Sequence, residues 1–301
     1  MKKSEAIKDN MGLNYPSFWL NAWQEHRNNS LRSRRIKGQD EVNFWNAFAE
    51  KMKRWSKEER SISRVQKVLQ WIGQQGIQIS DMRILDIGAG TGSFAIPFSK
   101  AGGQVTALEP AEKLVEILRD NMKGEGVREL SIITDMWEDI NPKKEGIEGG
   151  FDLVFASLTP AIHDKDTLEK MITCSRKWCF LCEFAGRRRN RVQEELWNEI
   201  FMESMPLPEY NIFYPLNYLY SKGYCPSLQL WREQWEEEAS GEEAVENLTR
   251  HFSLYTKITP EVRRIICDYV AKHLQEGIFR EEFQSLLGMT LWNVNDMWGA
   301  F

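Results

Sequence analysis

The sequence predicts a doubly wound, mostly parallel α/β sheet of seven strands with helices on both faces. From Ile84 onward, short runs rich in β-branched and aromatic residues alternate with amphipathic helical stretches. A glycine-rich turn directly follows the first of these runs, and the second run ends in an acidic residue, Glu109. Regular alternation of strands and helices favours a parallel sheet whose crossover helices cover both faces.

Seven segments have the composition of buried strands, and four segments between them carry apolar residues at the three- and four-residue spacing of helices. The predicted strands are 83–87, 104–108, 130–134, 152–157, 177–183, 227–235 and 284–292. The predicted helices are 94–100, 111–122, 165–174 and 191–204.

Two further segments do not belong to this alternation. Residues 1–80 contain helical patterns and predict a helical N-terminal extension that serves as a lid. Residues 236–283 separate the last two strands and are rich in helix formers, with Thr259 as a cap and Pro260 opening a helix. We therefore expect an extension over 1–80 and a main domain over 81–301, with an inserted helical cap at 236–283.

Composition excludes several classes of protein. The 301 residues are 42% hydrophobic and 28% charged, which is ordinary for a packed globular protein. The net charge of −5 argues against a surface built to neutralise a nucleic acid backbone. No apolar run of about 18 residues and no apolar segment after the charged N-terminus are present, so we expect a cytoplasmic protein without a membrane partner.

The five cysteines predict no metal site. Cys174, Cys179 and Cys182 crowd one apolar segment, and only the last two have the spacing of a metal-binding pair. Buried, reduced thiols with a packing role are the favoured interpretation.

The turn after the first strand distinguishes between two kinds of nucleotide-binding fold. It reads Asp86-Ile87-Gly88-Ala89-Gly90-Thr91-Gly92, and Ser93 stands where a dinucleotide-binding turn has its third glycine. The spacing Gly-x-Gly-x-Gly, with an acid two residues before the first glycine, resembles motif I of class I methyltransferases that use S-adenosylmethionine (SAM). The resemblance implies that Asp86 engages the methionine ammonium of SAM.

Three later segments extend the resemblance, which is firm over 84–183 and continues to 292. Glu109 follows Gly88 by 21 residues, the spacing at which an acid binds ribose hydroxyls. In the family an acidic residue after the third strand contacts adenine, and the end of the fourth strand faces the methyl donor. The cofactor-binding residues predicted in this way are Asp86, Gly88, Ala89, Gly90, Glu109, Pro110, Asp135, Met136 and Ser157.

Candidates for catalysis and acceptor binding lie at the same edge of the predicted sheet. His163 follows the fourth strand, where a histidine serves either as a general base or as a cap of the helix near Lys165. Arg187, Arg188, Arg189 and Arg191 follow the fifth strand and form either an anion-binding cluster or a solvated charged face. Aromatic residues after 210 line an acceptor pocket or pack in the core.

The resemblance implies an enzyme that transfers a methyl group from SAM to an unidentified, small-molecule acceptor and releases S-adenosylhomocysteine. If the arginines between 187 and 191 bind the acceptor, we expect it to be an anion. RNA or protein methylation is the first alternative, supported by the arginine clusters 31–35 and 187–191 but opposed by the acidic net charge. A SAM-binding protein without turnover is the second.

Overall fold

The computed structural model describes residues 12–35, 41–186, 188–208 and 210–298. Within these ranges the sheet has eight strands in the order β3-β2-β1-β4-β5-β8-β6, and β7 also pairs with β8. The strands are β1 (Arg83–Ile87), β2 (Gln104–Leu108), β3 (Ser131–Ile133), β4 (Phe151–Ser157), β5 (Ser175–Phe184), β6 (Arg189–Asn190), β7 (Ser227–Ser240) and β8 (Ile278–Asn293).

The first five strands are parallel to one another, and β8 runs antiparallel to β5, β6 and β7. All seven predicted strands are present, and the predicted α/β fold class is confirmed. The carboxyl ends of β1, β2, β4 and β5 therefore meet at one edge, where ligands bind in open α/β sheets.

Ten helices accompany the sheet in the described residues. They are α1 (Pro16–Asn28), α2 (Glu41–Trp55), α3 (Glu59–Gln74), α4 (Ala95–Lys100), α5 (Glu112–Gly124), α6 (Lys165–Cys174), α7 (Arg191–Phe201), α8 (Phe213–Ser221), α9 (Gly241–Phe252) and α10 (Pro260–His273). Helix α8 was not among the predicted helices, and α7 ends three residues before the predicted boundary at 204.

Both faces of the central strands are buried, which explains their continuous apolar sequences. On one face Phe155 and Phe180 stack with ring centroids 4.4 Å apart, and Trp71 of α3 meets Phe180 edge-on. On the other face Val154 and Leu181 pack with residues of α6 and α8. Successive strand residues alternate between these two cores, because side chains along a strand point to opposite faces.

The segment between β7 and β8 is shorter than the predicted cap at 236–283. Residues 236–240 and 278–283 lie in an antiparallel hairpin, and α9 and α10 occupy its tip. From Leu230 to Ser240 burial alternates residue by residue along β7, as expected of a strand with one covered face. Residues 236–238 are predicted to lie in the cap, but they continue β7, and Arg280 on β8 pairs with Glu238 across the hairpin at 2.8 Å.

Helices outside the sheet pack in two places. Ala49 of α2 is buried against Ala111, Leu114 and Ile117 at the start of α5, which holds α2 over the carboxyl end of β2. Helices α7, α9 and α10 share a separate apolar core that includes Trp197, Leu248, Phe252 and Ile266.

None of the helices in the described part of the chain is long and apolar enough to span a bilayer. The cytoplasmic location stays a prediction. Cys174, Cys179 and Cys182 are buried, and burial raises the pKa of each thiol.

Candidate functional site

The glycine turn is folded over the carboxyl ends of β1 and β2. The N–H groups of Gly88 and Ala89 both donate to the Leu108 carbonyl, at 2.8 and 3.0 Å. Gly88 and Gly90 have φ angles of +70° and +56°, a region that glycine enters without steric cost. A Cβ at Gly90 would meet nothing within 4 Å, so this part of the turn leaves room for a ligand close to the backbone.

Asp86 lies beneath the turn and is 3% exposed. Its Oδ2 is buried and has no hydrogen-bond partner among the described residues. Burial raises the pKa of Asp86 to about 7; nearby Glu109 adds to the rise and the backbone of Ala95 opposes it. A buried acceptor without a donor is costly, and a cationic ligand group at the turn would relieve that cost.

Glu109 holds the turn from the end of β2. Its two carboxylate oxygens accept the N–H groups of Gly90 and Ala111, each at 2.9 Å. Burial raises the pKa of Glu109, and these two hydrogen bonds oppose the rise. Because a carboxylate oxygen accepts more than one hydrogen bond, Glu109 retains acceptor capacity for ligand hydroxyl groups.

A cavity, here called the turn cavity, adjoins these groups. Five of the predicted cofactor-binding residues line it, namely Gly88, Gly90, Glu109, Pro110 and Met136. The other walls come from the loop that follows β4 and from Val42, Trp45 and Met52 on α2. These three residues belong to the N-terminal extension that the sequence predicts to be a lid.

Four predicted residues lie outside the lining of the turn cavity: Asp86, Ala89, Asp135 and Ser157. Asp86, beneath the turn, and Ala89, within it, are both buried. Asp135 is exposed in the segment that follows the short strand β3. The Ser157 hydroxyl is buried beside the Cys182 thiol of the neighbouring strand.

His163 lies outside the linings of both cavities described here. Its Nδ1 is 2.9 Å from the Pro160 carbonyl, and its Nε2 is 3.3 Å from Asp164 Oδ2. Burial lowers the pKa of His163, but the Asp164 carboxylate and the Pro160 carbonyl outweigh it, so the pKa is raised overall. Asp164, not His163, caps α6 by accepting the Thr167 N–H.

A second cavity of about 480 Å³ lies against the β7–β8 hairpin and is called the hairpin cavity. Its walls come from α2, the end of β5, α9 and β8. It shares five lining residues with the turn cavity: Trp45, Met52, Leu158, Thr159 and Pro160. The two cavities therefore adjoin at these five residues.

Of the four predicted arginines, Arg188 lines the hairpin cavity. Arg189 is exposed on β6, and Arg191 is 84% exposed and pairs with Glu195 at 2.6 Å. Arg187 lies outside the described residues. Among the predicted aromatic residues, Tyr218 and Trp292 pack in the core, whereas Trp235 stacks on Phe283 of the cavity wall.

The hairpin cavity contains charged groups of both signs. Lys51 pairs with Glu237 at 3.4 Å, and Arg64 forms two hydrogen bonds to Glu233 behind the wall. Glu281 accepts a hydrogen bond from the Asn190 amide at 2.8 Å, and burial raises its pKa. No grouping of three or more potential metal ligands occurs in the portions of the chain that the structure describes.

An uncharacterized protein of Haemophilus influenzae is 30% identical to this chain over 154 residues. The match covers 50% of this chain and 53% of that protein, so the chain spans about half the length of this curated relative.

Solved structures of methyltransferases resemble the chain at low identity. A putative methyltransferase from Bacillus halodurans has a TM-score of 0.49 at 14% identity, covering 77% of this chain and 99% of its own. Magnesium protoporphyrin IX methyltransferase from Synechocystis, solved with bound SAM, has a TM-score of 0.47 at 12% identity. The match covers 85% of this chain and 99% of that chain.

Residues 84–179 match the family described as a methyltransferase domain. This segment begins in β1, contains the glycine turn and Glu109, and ends in β5. The chain therefore contains a class I SAM-dependent methyltransferase domain.

Proposed function

We propose that this protein transfers a methyl group from SAM in the turn cavity to a small-molecule acceptor in the hairpin cavity. The observation that carries the proposal is that Trp45, Met52, Leu158, Thr159 and Pro160 line both cavities. A donor and an acceptor that both contact these shared residues lie side by side and can be aligned. Alignment is the main requirement of methyl transfer, which needs no covalent nucleophile.

The residues around the turn suit SAM. Glu109 offers acceptor capacity to the ribose hydroxyls, and the open space beside Gly90 accommodates the amino acid portion. Asp86 and Glu109 place two carboxyl groups near the methionine ammonium, and Met136 offers an apolar surface to the adenine ring. SAM, when bound, supplies a sulfonium methyl group, whose bond to sulfur breaks as the acceptor atom bonds to carbon.

Two parts of the chain exclude water from the proposed reaction. Helix α2 covers both cavities through Trp45 and Met52, which supports the predicted lid role of the N-terminal extension. Helix α9 covers the hairpin cavity through Leu248 and His251, whereas α10 packs behind it. The proposal gives His163 a structural role, because its ring nitrogens face Pro160 and Asp164.

The size of the hairpin cavity favours a small molecule over a nucleic acid or protein acceptor. Its volume of about 480 Å³ lies within the range of roughly 300–1,000 Å³ that is usual for small-ligand sites. Arg189 and Arg191 belong to the basic cluster that motivated the alternative, and they face solvent away from the lining.

Calorimetry with SAM, S-adenosylhomocysteine and NAD tests whether SAM is the ligand of the turn cavity. We expect SAM and S-adenosylhomocysteine to bind and NAD not to bind. The second half of the proposal is tested by incubating the protein with SAM and fractionated small-molecule extracts, and by measuring release of S-adenosylhomocysteine. Release that requires one fraction, and is lost when Gly90 is replaced by Ala, supports the proposal. Binding of SAM with release only in the presence of RNA or protein would assign the acceptor to the alternative class.

A further inference from the structure

Arg188 is a cation of the hairpin cavity that lacks an anionic partner. It lines the cavity, and its Nε is buried without a hydrogen bond. Across the described residues it forms no ion pair, in contrast to Lys51 and Arg64, which pair with Glu237 and Glu233. Burying a guanidinium without a hydrogen-bonded anion costs free energy. An anionic ligand bound in the cavity would offset this cost.

Aromatic rings fix the position of the Arg188 guanidinium. Its carbon lies 4.9 Å from the ring centre of Phe283 and 5.5 Å from that of Trp235. These two rings are stacked with centroids 4.9 Å apart and planes 5° from parallel. Contact with aromatic rings uses none of the N–H donors of a guanidinium, so these donors are available to an anion.

His251 from α9 adds a second polar group to the same cavity. Its Nε2 is buried and has no hydrogen-bond partner within the described ranges. Burial lowers the pKa of His251 to about 4, and the positive charges of Arg188 and Lys51 contribute to the decrease. The ring is therefore neutral near pH 7 and can donate one N–H to a ligand without adding charge.

The remaining walls limit the charge and shape of the ligand. Glu183, Glu237 and Glu281 also line the cavity, and their carboxyl groups oppose a ligand with two negative charges. Phe44, Phe48 and Trp55 of α2 form an aromatic wall, in which Phe44 and Phe48 stack with centroids 5.6 Å apart. Such a wall favours a flat, apolar body.

We infer that the methyl acceptor is a small aromatic carboxylic acid, whose carboxylate binds Arg188 and His251 and whose ring packs against the aromatic wall of α2. This inference rests on the proposed function and specifies its substrate class. The end of the acceptor opposite the carboxylate then points to Thr159 and Pro160, where the two cavities adjoin. That end carries a hydroxyl or amino group, whose oxygen or nitrogen bonds to the methyl carbon as the carbon–sulfur bond breaks and whose proton is released to solvent.

The test uses benzoate, benzamide and phenyl phosphate as probes, titrated by calorimetry into protein saturated with S-adenosylhomocysteine. Four proteins are compared: the native protein, Arg188→Gln, His251→Phe and the control Arg189→Gln. The control removes the same charge from the exposed neighbouring position on β6. S-adenosylhomocysteine affinity is measured first in all four, so that a failure of the cofactor site is recognised separately from a failure of the acceptor site.

We expect native protein and Arg189→Gln to bind benzoate equally. Binding should be at least tenfold weaker in Arg188→Gln and measurably weaker in His251→Phe, with S-adenosylhomocysteine affinity unchanged. Benzamide, which has the same shape without the charge, should bind at least tenfold more weakly than benzoate. The inference is overturned if benzoate does not bind, if Arg188→Gln binds it like the control, or if phenyl phosphate is the preferred probe.

Discussion

The side chain of Thr159 occupies the space in which any residue other than glycine would place its Cβ at position 88. A Cβ built on Gly88 would lie 2.7 Å from the Thr159 Cβ, well inside van der Waals contact. The glycine turn and the loop after β4 are therefore packed directly against each other, and Thr159 lines both cavities.

We predict that Gly88→Ala lowers the free energy of unfolding by about 1–3 kcal/mol, because the methyl group forces the Thr159 loop to move. SAM binding should be lost with it. Urea denaturation measures the first effect and calorimetry the second. Gly126→Ala is the matched control, since Gly126 has a similar φ of +72° and open space around it. Equal destabilisation by both substitutions would show that backbone strain, not the Thr159 contact, is responsible.

Gly90→Ala should behave differently from Gly88→Ala. A Cβ at Gly90 meets nothing within 4 Å in the protein, so the methyl group would project into space that the ligand needs. We expect a stability loss of about 1 kcal/mol from the left-handed backbone alone. SAM affinity should fall at least tenfold. If Gly90→Ala binds SAM normally, the ligand does not approach this face of the turn.

Glu109→Gln should weaken SAM binding by about 1–3 kcal/mol, because a neutral amide replaces a charged acceptor of hydrogen bonds. It should also cost about 1 kcal/mol of stability, because the two backbone N–H groups now bind separate carboxylate oxygens, and the amide of Gln keeps only one of these as an acceptor. Asp135→Asn serves as the comparison. Because Asp135 is exposed and outside the turn cavity, its effect on SAM affinity should be small.

The raised pKa of Asp86 predicts a specific dependence of stability on pH. Its ordinary value is 3.8, and burial raises the folded-state pKa to about 7. Between these values the folded state binds more protons than the unfolded state, so the contribution of Asp86 to stability falls as pH rises from about 4 to 7. Urea denaturation of native protein and Asp86→Asn across this range should show a steeper loss for the native protein. Parallel curves would mean that Asp86 is ionised without penalty.

Trp45 and Trp55 provide a test of α2 as a lid. Trp45 lines both cavities, whereas Trp55 lines the hairpin cavity only. Trp45→Ala should therefore accelerate dissociation of S-adenosylhomocysteine, measured by stopped-flow fluorescence, and weaken its binding severalfold. Trp55→Ala should leave the dissociation rate within about twofold of native. The lid role of α2 over the cofactor fails if both variants release the ligand at the native rate.

The features predicted most accurately from the sequence depend on local chain chemistry. The strands β1 to β5 are continuous apolar runs bounded by turns. The glycines after Asp86 are spaced by the backbone conformation of the turn itself, which involves no distant residue. Glu109 lies at the turn because two adjacent parallel strands bring their carboxyl ends together, and its role in binding the cofactor stays a prediction.

Features that depend on distant contacts were predicted poorly. The direction of Arg188 is set by Phe283 and Trp235, which lie far along the chain, and no local pattern separates it from exposed Arg189. Likewise, the extension of β7 through Ser240 depends on its backbone pairing with β8, which begins almost forty residues later. Helix α8 was missed because Pro215 lies in its first turn and its sequence is apolar on nearly all sides.

The β7–β8 hairpin holds both ends of the α9–α10 segment, which allows that segment to vary between related proteins. Ser240 and Ile278 are paired across the hairpin, so the two ends of the α9–α10 segment are held about 5 Å apart by the sheet itself. A segment anchored in this way can be exchanged, lengthened or grafted without altering the register of β5 and β8. The half of the domain around Gly88 and Glu109 lies at distant strands and would be undisturbed. Chains of this architecture can therefore acquire new acceptors by replacing one module while inheriting the cofactor site intact.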